Sequence, residues 1–107
     1  MLLLTTTGAS TGQDHTVPLL YLEHDGALVV VASYGGRHDH PQWFKNLLSN
    51  PEGRAQVGSE SYPVDSRVAS PEERSLLWPR VINAYDGYQV YQARTHRLIP
   101  LVILRRR

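Results

Sequence analysis

The sequence predicts a mainly β fold of the α+β class, in which about six largely antiparallel strands form a sheet covered by short helices. Short apolar or alternating segments bounded by Gly, Pro, Asn or Asp recur along the chain. The spacing typical of helices occurs only between the third and last of these segments. Closure of the sheet into a small barrel would remove exposed strand edges, but another α+β roll would have the same periodicity.

The first three strands are predicted at residues 2–6, 16–24 and 28–33. Apolar side chains occupy both faces of the second strand, with Val17 and Leu19 on one face and Leu20 on the other. A barrel wall that is packed inside and covered outside requires this two-sided pattern. A His-Asp-Gly sequence at residues 24–26 predicts a tight hairpin into the third strand.

The first helix is predicted to have Pro41 in its first turn and Asp39 or His40 as its N-cap. An Asn-Pro pair at residues 50–51 stops this helix. Two further strands are predicted at residues 54–57 and 61–68.

The second helix has a strong start signal, because Ser70, Pro71 and Glu73 form a capping box with proline at the first helical position. Five side chains of this helix are predicted to point inward: Leu76, Leu77, Val81, Ile82 and Tyr85. A third helix is predicted at residues 88–94, and the last strand at residues 99–104.

Composition excludes several classes of site. A length of 107 residues predicts one domain, residues 1–107, and a formal net charge of +1 argues against nucleic acid as a partner. The absence of cysteine excludes disulfides, thiolate catalysis and Cys-based metal sites. The apolar start at residues 1–4 is too short for a signal peptide or a membrane span, so we expect a cytoplasmic protein.

The loop between the first two strands is a candidate anion site. It contains two glycines and the hydroxyls of Thr7, Ser10 and Thr11. Backbone N–H groups and hydroxyls gathered in one loop can hold a phosphate without a helix.

This loop and several later segments together resemble the deazaflavin-dependent nitroreductase family. The matching segments are LTTTGASTGQDHTVPLLY at residues 4–21, VVVASYGG at 29–36, HPQWFKNL at 40–47, NP at 50–51, WP at 78–79, AYDGYQVYQART at 84–95 and RLIPLV at 97–102. The resemblance implies a split β-barrel that binds the deazaflavin coenzyme F-420. It also implies hydride transfer from the reduced deazaflavin to a planar, electron-poor small molecule: a quinone, a nitroaromatic or an enone.

The resemblance also implies the site residues. Those implied to bind the cofactor are Ala9, Ser10, Thr11, His15, Thr16, Val17, Pro18, Leu19, Val31, Ala32, Ser33, Tyr34, Gln42, Trp43, Lys45, Asn46 and Tyr88. Ser33 and Tyr88 are implied to be catalytic, and Leu20, Tyr85 and Tyr91 to bind the acceptor. For Trp43, packing in the core is an equally good interpretation.

The sequence departs from the family in its phosphate loop, where Ala9, Ser10 and His15 stand at places that usually carry cations. Arg37, Lys45 or the Arg105–Arg107 tail could compensate. The alternative function is therefore a barrel that has lost its cofactor and acts as a small-molecule-binding protein or a cofactor-free isomerase or cyclase. Binding of flavin mononucleotide or haem is a third interpretation, disfavoured because its phosphate site would need the same charges.

The sequence also gives expectations about metal ions, membrane contact and subunit association. His38-Asp39-His40 fits a loop and helix cap better than a metal site, so no metal is expected. Family members begin with a helical segment that can touch membranes, whereas this sequence begins at the first strand, which would leave the acceptor side more open. The arginine tail is interpreted as a solvated terminus, with contact to a membrane surface as the alternative. A homodimer is left open.

Overall fold

The computed structural model describes residues 1–107 as a seven-stranded antiparallel sheet with three α-helices and a 3-10 turn. The strands are β1 (Leu2–Thr7), β2 (Asp14–Leu19), β3 (Leu22–His24), β4 (Ala27–Val31), β5 (Glu52–Val57), β6 (Glu60–Val68) and β7 (Leu101–Arg106). The helices are α1 (Gln42–Ser49), α2 (Pro71–Ala84) and α3 (Gly87–Ala93), and the 3-10 turn spans Tyr34–Gly36. The predicted α+β class with an antiparallel sheet is confirmed. No helix has the length and apolarity needed to cross a bilayer.

The two edge strands of the sheet are consecutive in the chain. The strand order is β2-β1-β5-β6-β7-β4-β3, and only Leu20 and Tyr21 separate β2 from β3. The sheet must therefore curl until its edges approach each other. The single strand predicted at residues 16–24 is wrong in this respect, because the chain leaves its pairing with β1 at Leu19 and pairs with β4 from Leu22.

The curled sheet separates two apolar cores. The inner core contains Leu28 and Val30 from β4, Ala32 just after it, and the apolar face of α1. The outer core contains Val29 and Val31 from the same region and is covered by α2 and α3. Because β4 is buried on both faces, its sequence is apolar at every position, as strands covered on both sides are.

Helix α2 begins with the predicted capping box. The Ser70 hydroxyl accepts a hydrogen bond from the Glu73 N–H at 3.2 Å, and the Glu73 carboxylate accepts one from the Ser70 N–H at 2.9 Å. Leu77 and Val81 are buried as predicted, but Leu76 is 62% exposed. Tyr85 is likewise not an inward side chain of α2, because the helix ends at Ala84. The buried stripe is narrow because only one edge of α2 faces the outer core.

Helix α1 has Pro41 as its N-cap residue, with no side-chain cap, so the expected cap by Asp39 or His40 is wrong. The arginine tail belongs mostly to β7. Arg106 lies 3.8 Å from Glu60, and Arg107 lies 3.4 Å from Glu52 and from Asp65.

The capping box makes stability depend on pH. The guanidinium of Arg67, followed by the Ser70 N–H, lowers the pKa of the Glu73 carboxyl from 4.5 to about 2. A carboxyl whose pKa falls on folding stabilises the native state above its unfolded pKa, and this contribution is lost as the pH falls through the folded pKa. We expect Glu73→Gln to lower Tm near neutral pH, with a difference that shrinks as the pH falls from 4.5 to about 2.

Thermal unfolding of both proteins over this pH range measures the effect. Glutamine can still accept the cap hydrogen bond, so the substitution removes the charge and retains the box. Glu72→Gln in the same exposed turn is the matched control and should show a smaller difference. A Tm difference for Glu73→Gln that stays constant with pH would contradict the assignment.

Candidate active site

The β1–β2 loop closes on itself around Gly8. Its N–H donates to the Gln13 carbonyl at 2.7 Å, and its carbonyl accepts from the Gly12 N–H at 2.9 Å. A Cβ at Gly8 would collide with the Thr11 hydroxyl and lie 3.1 Å from His15 Nε2. The glycine therefore lets a hydroxyl and an imidazole converge on one point of the loop.

The side chain of Asn46 in α1 holds this loop in place through hydrogen bonds. Its side-chain oxygen accepts hydrogen bonds from the Ala9 N–H and the Gln42 amide, each at 3.0 Å. Its amide nitrogen donates to the Thr6 hydroxyl at 3.0 Å. Asn46 and Thr6 are each only 1% exposed, so these bonds are shielded from water. Asn46 thus positions the backbone of the loop, with its own amide already occupied.

Trp43 lies in the inner core. It is 8% exposed, and its ring meets Phe44 edge-on at 6.2 Å. Tyr88 packs against the outer core, on the opposite face of β4. The structure does not bring Trp43 to the tyrosine side of the site, which favours core packing for Trp43. Lys45 is exposed on α1.

Arg97 holds the chain segment that leaves β4. Its guanidinium donates to the carbonyls of Ala32 at 3.1 Å, Ser33 at 2.7 Å and Arg37 at 2.9 Å. It also lies 3.1 Å from His40 Nδ1. The sequence did not indicate this role: Arg97 opens the matching RLIPLV segment, but nothing in that segment shows which distant carbonyls it will contact.

The pKa of His40 is lowered, chiefly by burial and then by the charges of Arg97 and Lys45, against an opposing effect of Asp39. A neutral imidazole can accept the Arg97 hydrogen bond at Nδ1. His40 therefore serves as a structural acceptor. The structure contains no group of three or more His, Cys, Asp or Glu side chains that could hold a metal ion.

The turn after Ser33 has an uncommon backbone. Tyr34, Gly35 and Gly36 have φ values of 47°, 64° and 80°. A Cβ at Gly36 would lie 2.6 Å from the Tyr91 carbonyl oxygen, so the turn packs directly on α3. This close approach brings the end of β4 beside the helix that carries the tyrosines.

A cavity of about 170 Å³ lies between β3, β4, α2 and the start of α3. Every lining residue is apolar or aromatic, and they include Leu20, Val31, Tyr85 and Tyr88. The structure thus gathers two of the three predicted acceptor residues with the predicted catalytic tyrosine. Ser33 and Tyr91 do not line this cavity.

The loop residues Ala9, Ser10, Thr11 and His15 are exposed at the β1–β2 end of the site, with Thr16 and Pro18 exposed on β2.

The three tyrosine rings form one cluster. The Tyr85 and Tyr88 rings are perpendicular at 5.0 Å between centroids, and the hydroxyls of Tyr85 and Tyr91 are 3.3 Å apart. Burial, followed by the nearby Tyr85 and Tyr91, raises the pKa of the Tyr88 hydroxyl. The hydrogen bond with Tyr91 raises the pKa of Tyr85. Both phenols therefore keep their protons at neutral pH and can donate hydrogen bonds.

We expect Arg97→Lys to destabilise the protein by about 2 kcal/mol, because an ammonium cannot fork across three carbonyls and a hydrogen bond to a charged group contributes roughly 1.5–3 kcal/mol. Urea unfolding measures the change. Arg94→Lys is the matched control, because the Arg94 side chain is exposed and its contact is with the Tyr91 ring, 5.8 Å away; lysine can keep that contact, so its effect should stay below about 0.5 kcal/mol. Equal effects of the two substitutions would contradict the assigned role of Arg97.

Comparison with known proteins agrees with this geometry. The F420H(2)-dependent quinone reductase family model matches residues 1–106. A Mycobacterium tuberculosis protein whose name provisionally assigns it that activity is 42% identical over 106 residues, which cover 99% of this chain and 89% of that protein.

Two solved structures have the same fold. One, described as an F420-H2 dependent reductase, has a TM-score of 0.86 and 40% identity and covers 96% of this chain and 91% of its own. Another, described as a domain-swapped dimer, has a TM-score of 0.87 and 40% identity and covers 96% of this chain and 78% of its own. These matches confirm the deazaflavin resemblance and the split barrel, and the chain belongs to the F420H(2)-dependent quinone reductase family.

Proposed function

We propose that this protein is an oxidoreductase that reduces a planar quinone with reduced coenzyme F-420. The observation that carries the proposal is the apolar tyrosine cavity beside the end of β4, in a chain that belongs to this reductase family. The deazaflavin supplies the hydride, so the protein has to bind it, orient it and exclude water. Nitroaromatics and enones are planar, electron-poor acceptors of the same kind.

The β1–β2 loop fits an anionic cofactor tail through neutral donors. The N–H groups of Ser10 and Thr11 make no hydrogen bond within the chain, and the Thr11 hydroxyl and His15 imidazole converge at Gly8 of the same loop. These residues would hold the phosphate, and the end of β4, Val31 to Ser33, would lie along the deazaflavin ring. The loop contains no Lys or Arg. Binding at this loop should therefore be weak.

Tyr88 is the proposed proton donor to the acceptor. Its ring lines the cavity and its raised pKa keeps the hydroxyl protonated. A quinone that accepts a hydride becomes negatively charged on oxygen, and a phenol in reach stabilises that charge. Ser33, Tyr91 and Tyr85 are proposed to complete the acceptor side, with Ser33 as a second donor.

A cofactor-free binding protein, isomerase or cyclase is the second candidate, favoured by the uncharged loop and by a cavity lining without charged side chains. Mixing the protein with oxidised and reduced deazaflavin and following its fluorescence distinguishes the two.

A homodimer is a further proposal, supported by the similar structure described as a domain-swapped dimer. A cytoplasmic location and a contact of the Arg105–Arg107 tail with a membrane stay predictions.

We expect Ala9→Arg combined with Ser10→Lys to tighten deazaflavin binding at least tenfold, since two charge-assisted hydrogen bonds contribute roughly 1.5–3 kcal/mol each. Both side chains are exposed, so the new residues displace nothing from the core. Fluorescence titration at low and high salt measures Kd, and the gain should shrink at high salt.

The control pair Ser59→Arg with Ser75→Lys adds the same charge at exposed positions away from the loop. It should leave Kd nearly unchanged. Tight, salt-independent binding by the unaltered protein would contradict the proposed weakness of the loop.

We expect Tyr88→Phe to lower kcat for quinone reduction by about 10²-fold, the lower end of what general acid catalysis contributes. Cofactor Kd should change little, because the ring remains in place. Tyr85→Phe is the matched control and should lower kcat less, since the Tyr85 hydroxyl is paired with Tyr91. Stopped-flow measurement with saturating reduced deazaflavin tests both. Equal kcat values for the wild type and Tyr88→Phe would show that the Tyr88 hydroxyl takes no part in the reaction.

A further inference from the structure

The start of α3 lies directly against the ring of Tyr85. A Cβ built at Gly87 would lie 2.5 Å from Tyr85 Cζ, 2.6 Å from Cε2 and 2.7 Å from the hydroxyl oxygen. These distances are shorter than any ordinary contact between side chains. The space that another residue would fill at position 87 is therefore occupied by the Tyr85 ring.

The backbone alone gives no reason for glycine at this position. Gly87 is absent from the residues with positive φ, and it is the first residue of a helix. Glycine is needed where the backbone is left-handed or strained, and a first helical residue is neither. The contact with Tyr85 is thus the feature of the structure that excludes a Cβ.

We infer that Gly87 is a positioning residue that sets the Tyr85 ring at the rim of the acceptor cavity and so determines how tightly a planar acceptor is held. This inference rests on the proposed function of that cavity. Tyr85 lines the cavity, yet it is 41% exposed, so its far side faces solvent. The ring has room to rotate outward when a methyl group pushes it.

Outward rotation would undo two contacts that hold the ring over the cavity. One is the perpendicular contact with Tyr88, and the other is the 3.3 Å pair with the Tyr91 hydroxyl. The atoms that a Cβ at position 87 would meet lie at the far end of the Tyr85 side chain, so the fold itself need not change. Gly87→Ala should therefore give a folded protein with a displaced Tyr85 ring.

The test combines acceptor kinetics with an NMR measurement that needs no cofactor. The probe is menadione, a planar naphthoquinone, with saturating reduced deazaflavin. Gly87→Ala should raise the KM for menadione about two- to tenfold, the loss expected for one aromatic contact. The kcat and the deazaflavin Kd should change less than twofold. In the apo protein, the Gly87 Hα resonances should be shifted upfield by the Tyr85 ring, and Tyr85→Ala should abolish that shift.

A double-mutant cycle separates ring placement from a general effect on α3. In the Tyr85→Ala background, Gly87→Ala should leave the KM for menadione unchanged, because the ring is already absent. An equal rise of KM in both backgrounds, or unshifted Gly87 Hα resonances in the wild type, would overturn the inference. If the wild type reduces no quinone, the proposed function fails, while the resonance shift still decides whether Gly87 positions Tyr85.

Discussion

The site depends on the Arg97 guanidinium more than on any other group. It is held among the carbonyls of Ala32, Ser33 and Arg37 and the ring of His40, all at least 57 positions earlier in the chain. The carbonyls of Ala32 and Ser33, which follow the end of β4, thereby find a donor. Buried or half-buried carbonyls without partners are costly, so this arginine makes the abrupt exit from β4 tolerable. The exit in turn places Ser33 and the 3-10 turn against α3.

Arg97 can act in this way because its own loop is fixed by the helices. The Gln92 side chain of α3 accepts a hydrogen bond from the Ile99 N–H at 2.9 Å and donates one to the Arg97 carbonyl at 2.8 Å. Arg74 of α2 donates to the Ile99 carbonyl at 3.3 Å and stacks on Trp78. The outer helices and the end of β4 are therefore linked through one loop. The loop before β7, helix α3 and the 3-10 turn after β4 are therefore in direct contact with one another.

The two-sided sheet explains how the candidate residues are divided. Asn46 works on the inner side, where it holds the β1–β2 loop through Ala9, and the tyrosines gather on the outer side, where α2 and α3 cover β4. A cofactor that reached both would have to pass the end of β4, where the sheet stops separating the two cores. The loop that Asn46 holds contains no Lys or Arg, and the cavity beside the tyrosines is lined by apolar and aromatic side chains.

Local signals in the sequence determined much of the fold. The capping box of Ser70 and Glu73 and the turn at Asp25-Gly26, whose φ values are 50° and 75°, involve groups within a few residues of each other. The apolar run of β4 likewise reports burial on both faces. Such patterns are readable because each depends on neighbouring residues alone. The same two-sided pattern in the second predicted strand did not report such burial, because β2 is half-buried on one face and exposed on the other. The resemblance supplied the candidate site residues, including the tyrosines that the structure gathers.

Only the tertiary structure decided the rest. It divided the second strand at Leu20 and Tyr21, because the change of partner from β1 to β4 follows from closure of the whole sheet. It placed Trp43 in the inner core, turned Leu76 to solvent and gave Arg97 its carbonyl partners. Each outcome depends on contacts between segments far apart in the chain, and the spacing of residues along the sequence does not show which distant groups will meet.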